Sequence, residues 1–305
     1  MGIFKSDRIN IVMMIEPGRL EWQGIMLIES IKKYCMDDFK IFVYCRVDKL
    51  KVLCLGTLRY LSENGIALTL IENDFFPDYP QGNKVIAVSK SRRWADFGVF
   101  LDTDNILIKK VSFLKELARP RCISVVPADR RSWTINNEDW NEVYKACGAK
   151  ISSETILLRN HEKSPPYFNA GMIVFPENGG FRNIWLECSK LIDGVRGVEN
   201  KRPWLDQVAL PVAISKAGLK HNIVSDKYNF ALHAENINLK NVVLGHYHTL
   251  KWVRYYGLNK EMAEYSKKSL GCDSFKEFRD SVMEGAFGEK RNSSSDVNPP
   301  HSRGC

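Results

Sequence analysis

The chain has 305 residues, of which 44% are hydrophobic and 26% charged, with a formal net charge of +8. That length fits one large α/β domain or two small ones, and the composition is ordinary for a globular protein rather than a fibrous or low-complexity one. The positive balance suits an anionic partner such as a nucleotide phosphate or an acidic membrane surface; without a long Lys/Arg block or a repeat of stacking aromatics, nucleic acid is not expected.

Ile9 to Ile15 is a continuous apolar strand apart from Asn10, and Pro17-Gly18 break it. Leu20 to Cys35 then carries Leu20, Gly24, Leu27, Ile28, Ile31, Tyr34 and Cys35 at helical spacing. Lys40 to Cys45 reads as a strand, Leu50 to Leu61 as a helix stopped by Asn64-Gly65, and Ile66 to Ile71 as a third strand. Such β-α-β-α-β alternation predicts a parallel, doubly wound sheet with helices on both faces.

Asn73 to Asn83 is a loop rich in Asp, Pro and Gly, and Lys84 to Trp94 is expected to be a helix. Phe97 to Leu101 is a short apolar run that reads as a buried strand. It ends in Asp102-Thr103-Asp104, and a second apolar run, Ile106 to Ile108, follows. On an extended backbone the two carboxylates share a face, and such a pair repels unless a cation or a proton sits between them. A hard divalent cation at a strand end is one reading; a turn, for which Asp and Asn are common residues, is the other. Ligands of such sheets bind outside the carboxyl ends of the strands, where Asp102, Asp104, Glu16 and Pro17 all stand.

Further on, Arg121 to Val126 is a strand leading to Asp129, and Trp133 to Ser153 holds a helix flanked by loops. Tyr167 to Phe175 is a strand interrupted by Asn169-Ala170-Gly171, and Phe181 to Ile192 is a helix. Pro203 to Gly218 is another helix, which Pro211 should kink or break. Lys220 to Val224 and Val242 to His246 are short strands. One domain is expected over residues 1–252, a basic and aromatic helical extension over 253–288, and a disordered Ser/Asn/Pro-rich tail over 289–305.

The 8 cysteines form no CxxC pair, so a zinc ribbon is not expected. Several lie in apolar runs, as small core residues do, which suits a reducing, cytoplasmic compartment. No apolar stretch approaches the roughly 20 residues of a membrane span, and no signal-peptide core opens the chain. Met1 to Ser6 fits the N-myristoylation pattern, a short pattern that often matches by chance.

No GxGxxG follows the first strand and no GxxxxGK[ST] or GxSxG occurs, which removes the main support for dinucleotide, P-loop and α/β-hydrolase readings. Four segments instead carry a resemblance: Phe100 to Asp104 (FLDTD), Tyr167 to Phe175 (YFNAGMIVF), Leu205 to Gln207 (LDQ) and Gly245 to Trp252 (GHYHTLKW). Their order is similar to that in the GT-A-type nucleotide-sugar glycosyltransferases, especially the family-eight group related to glycogenin and bacterial galactosyltransferases. The likeness covers most of the chain and implies a single GT-A-type α/β domain and a divalent-metal-dependent, retaining transfer of a sugar from a nucleotide diphosphate, UDP in particular, to an acceptor hydroxyl. It implies a glycan, lipid-linked or protein acceptor and Mn2+ or Mg2+ as cofactor.

By that resemblance Asp102, Asp104 and His246 hold the metal, with His248 the rival imidazole; carboxylate and imidazole together suit Mn2+. Asp102 also contacts the nucleotide. Asp206 binds hydroxyls of the transferred sugar, Gln207 supports an oxocarbenium-like state across from the leaving group, and Asn169 stands near donor and acceptor. Asp129 is a further sugar-binding candidate. Lys84 and Lys251 are candidates for the diphosphate, and Glu16 for the nucleotide. Each residue also has a plain structural reading: His246 bonded to a carbonyl, Asn169 at a β-bulge, Asp206 at a helix N-terminus, Lys84 on a solvated helix face. Departures from the family pattern are Lys251-Trp252 without an intervening Pro, Thr249 where a Gly is usual, and Ile15-Glu16 at the end of the first strand. Two other functions share such a fold: a nucleotidyltransferase that makes sugar nucleotides, and a binding module without activity. The lysines after Trp252 could also contact an anionic membrane from its cytoplasmic side.

Overall fold

The computed structural model describes residues 8–258 apart from 93, 135 and 234, together with 260, 263, 264, 267 and 280. The myristoylation pattern, the tail and most of the helical extension fall outside the described residues.

Strand β1 (Arg8–Met14), helix α1 (Arg19–Tyr34), β2 (Asp38–Arg46), α2 (Leu55–Glu63) and β3 (Leu68–Ile71) give the expected alternation. They are followed by α3 (Gly82–Ser89), β4 (Phe97–Leu101), β5 (Asn105–Leu107), α4 (Phe113–Glu116), β6 (Cys122–Pro127) and α5 (Asn137–Ala146). A short hairpin, β7 (Ile156–Leu157) and β8 (Lys163–Ser164), precedes β9 (Phe168–Pro176), α6 (Phe181–Asp193), α7 (Leu205–Lys216) and β10 (Lys220–Ile223). The last described elements are β11 (Phe230–Ala231), β12 (Leu244–His246) and α8 (Leu250–Tyr255).

The central sheet has 7 strands in the order β10-β6-β9-β4-β1-β2-β3. All neighbours run parallel except β9, which is antiparallel to both β4 and β6. The expectation of a mostly parallel, doubly wound sheet is met. Two apolar cores cover its faces. One gathers Ile11, Met13, Val99 and Leu101 against α1 and α2; the other gathers Val12, Phe100, Val125 and Ile173 against α3, α5, α6 and α7. Successive strand residues alternate between these cores, as the period of two requires. A second, small sheet, β11-β12-β5, leaves the main one just beyond β4.

Two helices differ from their sequence patterns for identifiable reasons. The run Leu50 to Leu61 is not one helix: a 3-10 segment, Val47–Val52, is followed by a break at Leu53-Cys54 and then α2. Glu21 of α1 causes the break. Its Oε2 accepts the Cys54 N–H at 2.9 Å and the Thr57 hydroxyl at 2.7 Å, so a carboxylate from another helix acts as the cap of α2. The expected helix to Trp94 stops at Ser89 because Arg92 turns back, donating to the carbonyls of Ala87 (3.0 Å) and Val88 (2.8 Å). Its Nε lies 2.8 Å from Glu177 Oε1 in a fully buried ion pair. Pro211 lies inside α7 without ending it. In α8, Val253 is buried and Trp252 packs against the first core, so the start of the basic aromatic segment covers the sheet.

Candidate active site

Asp102-Thr103-Asp104 leaves β4 as a turn rather than as more strand, with the Asn105 N–H donating to the Asp102 carbonyl at 3.0 Å. The extended backbone expected for the pair is therefore replaced by the turn alternative. Both carboxylates still line the cleft, because Thr103 between them is buried and they are only half-buried. A backbone bond from the Asp102 N–H to the Gly171 carbonyl (2.9 Å) anchors the turn to β9.

The two carboxylates meet different partners. Lys84 Nζ, on α3, lies 3.0 Å from Asp102 Oδ2 and 3.1 Å from Asp206 Oδ2. The lysine expected on a solvated helix face or on a phosphate thus bridges two carboxylates from β4 and α7. Burial works against its charge, but the two anions outweigh that and hold its pKa above the ordinary lysine value. Burial raises the Asp102 pKa, and Lys84 opposes the rise. Asp206, buried at the first turn of α7, is fixed by Tyr79, whose hydroxyl donates to Asp206 Oδ1 at 2.8 Å and accepts the Asp206 N–H at 3.2 Å.

Asp104 faces imidazoles. His246 Nε2 is 3.0 Å from its Oδ1, and His248 Nδ1 is 3.7 Å from its Oδ2. Strand register brings them there. In the antiparallel pairing of β12 with β5, His246 stands opposite Asn105, and the Tyr247 N–H donates to the Asp104 carbonyl at 3.0 Å. Burial alone would raise the Asp104 pKa, but the adjacent His246 and the bonds from both histidines leave it well below the usual carboxylate range. Burial would likewise lower the His246 pKa, yet Asp104 raises it above the ordinary imidazole value. Ligand atoms of Asp104, His246 and His248 all lie within 4.8 Å of one another. A carboxylate oxygen and imidazole nitrogens so spaced fit a divalent ion, which would take the place of the shared proton.

Asn169 marks the bulge that sequence suggested: between Val125 and Val126 the β6–β9 register slips, so that Val126 pairs with Asn169. Its Oδ1 accepts the Gly171 N–H at 2.8 Å and Asn229 Nδ2 at 2.9 Å, and the residue lines the cleft. Gly171 is needed here for space, since a Cβ on it would come within 2.9 Å of Asn169 Oδ1 and 3.1 Å of the His246 ring.

The cleft has two lobes that share Gln81, Lys84, Asp102 and Asp104. The first, about 380 Å³, lies between the ends of β1 and β4 and the starts of α1 and α3, and includes Glu16, Arg19 and Asn83. Glu16 accepts from Asn83, and burial raises its pKa. The second, about 400 Å³, includes Asp129, Asn169, Gln207, His246 and His248. Asp129 is paired with Arg159 at 2.9 Å. Lys251 is not brought in: it is exposed on α8 with its ammonium 4.6 Å from the centre of the Trp252 ring. Sequence reading missed Tyr79, Gln81, Asn83 and Arg19. The first three sit in or just after the Asp/Pro/Gly loop before α3, whose place over the strand ends was the available signal.

The 7-stranded sheet with one reversed strand carries polar groups at the carboxyl ends of β1, β4 and β6 and on β9, and the fold as a whole is similar to solved structures. The galactosyltransferase LgtC, solved in complex with donor and acceptor sugar analogues, matches with a TM-score of 0.55 and 13% identity over 86% of this chain and 96% of LgtC. The fold is of the GT-A type. The apo structure of the bifunctional glycosyltransferase WbbM matches over 82% of this chain with a TM-score of 0.48 and 14% identity; this chain spans 47% of WbbM's length. No curated protein matches by sequence. Residues 11–218 match the family model described as "Rhodobacterales glycosyltransferase domain", and the chain belongs to that glycosyltransferase family. Among the described residues no helix is long and apolar enough to cross a membrane.

Proposed function

We propose that the protein transfers a sugar from a nucleotide diphosphate, UDP in particular, to a hydroxyl of a glycan, lipid-linked or protein acceptor, with retention of configuration and with Mn2+ or Mg2+ at Asp104 and His246. The observation that carries this reading is the convergence of Asp104, His246 and His248 where the two lobes meet. A divalent cation bound there neutralises charge on the departing diphosphate as a Lewis acid. Asp102, two residues away, would take the ribose of the nucleotide, whose base enters the first lobe beside Glu16 and Asn83.

The second lobe would hold the transferred sugar and the acceptor. Asp206 is buried and lines neither lobe; with Tyr79 on one oxygen and Lys84 on the other, it would hold Lys84 in place beneath the sugar. Gln207 follows it on α7 and would present its amide to the electron-poor anomeric centre; an amide is too weak a nucleophile for a covalent intermediate. The Asn169 amide nitrogen would donate to a donor or acceptor hydroxyl, and Asp129, which lines this lobe in its pair with Arg159, would take a sugar hydroxyl.

Calorimetric titration of UDP in the presence of Mn2+ tests the reading: the Asp104→Asn protein should bind UDP at least about tenfold more weakly, and equal affinity sinks the metal bridge. Incubation with a panel of nucleotide sugars in water should give slow hydrolysis of one donor, which names the sugar; hydrolysis of none at any cation concentration counts against transfer.

A further inference from the structure

We propose that His248 is a second imidazole ligand beside His246, so that the cation at Asp104 meets two nitrogen donors and the site selects borderline transition-metal ions over Mg2+. This rests on the metal reading above and extends it from a single-histidine site to a paired one.

Three observations carry it. First, Asp104 faces both rings with one oxygen toward each: Oδ1 toward His246 Nε2 and Oδ2 toward His248 Nδ1. Donors about 2.2 Å from a common ion lie within about 4.4 Å of each other, and the three ligand atoms here lie within 4.8 Å of one another. Second, the backbone is bent to achieve this. His248 has φ 51°, in the left-handed region. Such a conformation is unfavourable for a residue with a Cβ, and it persists where the surroundings fix it. Bonds from the Tyr247 N–H to Asp104 and from the Thr249 N–H to the Tyr247 carbonyl do so. On an extended chain His248 would follow His246 up the same face, about 7 Å away; the bend instead brings the ring centroids to 3.9 Å. Third, His248 is half-exposed and lines the second lobe, so its imidazole keeps access to the cleft.

Imidazole favours Mn2+, Co2+ and Zn2+ relative to Mg2+, which prefers an all-oxygen shell. Replacing one imidazole should therefore change which ion is held, beyond how tightly ions are held in general.

The test uses the full chain, titrated calorimetrically with Mn2+, Co2+ and Mg2+, with and without saturating UDP. The variants are His248→Asn, which keeps a residue tolerant of the left-handed backbone, His248→Ala, and His246→Ala. Both His248 variants should bind Co2+ and Mn2+ about tenfold or more weakly, with Mg2+ affinity changed much less. Pulsed electron paramagnetic resonance of bound Mn2+, with isotope-labelled histidine, should count two imidazole nitrogens in the wild type and one in His248→Asn. Unchanged Co2+ affinity in the His248 variants, an equal loss for Co2+ and Mg2+, or one nitrogen in the wild type overturns the proposal. In those cases a loss of Mn2+ binding in His246→Ala leaves the metal reading standing. A wild type that binds none of the ions, with or without UDP, removes that reading itself.

Discussion

Asp102 and Asp104 stand on one turn with one residue between them, and their surroundings are opposite in kind. Asp102 is already paired: Lys84 neutralises it and ties it to Asp206. Asp104 is equally exposed to the cleft, but its neighbours are imidazoles, which exchange a proton for a cation, as an ammonium group cannot. The first cluster thus reads as a rigid floor and the second as a ligand-binding rim. Local sequence makes the two carboxylates equivalent; their partners, one hundred or more residues away for Asp206 and the histidines, make them different.

The largest effect that would sharpen this contrast is on stability. Lys84→Met leaves Asp102 and Asp206 facing each other with no counter-charge, and breaking such a buried pair costs about 3–5 kcal/mol. Asp104→Asn, which keeps an acceptor for His246 but loses the charge, should cost less, about 1.5–3 kcal/mol. Urea unfolding of both variants checks this, and equal losses would erase the distinction between floor and rim.

A smaller effect is expected where the two clusters approach each other. Gly171→Ala inserts a methyl 2.9 Å from Asn169 Oδ1 and 3.1 Å from the His246 ring. Overpacking of this kind costs about 1–3 kcal/mol, and it should displace His246 from Asp104. Mn2+ affinity should fall while the Lys84 cluster is untouched; unchanged affinity would mean that the His246 side yields freely.

The smallest effect tests a carboxylate that belongs to neither cluster. Burial raises the Glu21 pKa, while bonds from Thr57, Gly18 and Cys54 oppose the rise. For an acid raised on folding, the contribution to stability is fully present below the unfolded value and is lost as pH rises through the folded one. Wild-type stability should therefore fall more between about pH 4 and neutrality than that of Glu21→Gln. The comparison is one of slopes, because the amide also loses an acceptor for the Cys54 N–H and starts from lower stability. Parallel pH profiles would show that Glu21 ionises as easily folded as unfolded.

Much of this protein follows from its sequence alone. Apolar runs and helical spacing fixed β1, α1, β2, β4, β6, β9 and α6 to within a residue or two, because periodicity is a property of neighbouring residues. FLDTD, FNAG, LDQ and GHYH together marked the GT-A-type family. Tertiary structure decided what those motifs do to one another. No local pattern says that Glu21 will split the run from Leu50 to Leu61, since the capping carboxylate lies on another helix. Lys84 and Lys251 look alike as cations near a motif. Only packing shows that one bridges Asp102 and Asp206 while the other lies over Trp252 in solvent. The spacing of His246 and His248 left them as rivals, because on an extended strand only one would reach Asp104. A left-handed residue at His248 and the pairing of β12 with Asn105 bring both to it. Side-chain convergence depends on register and on a single φ angle, and neither is encoded by the residues beside it.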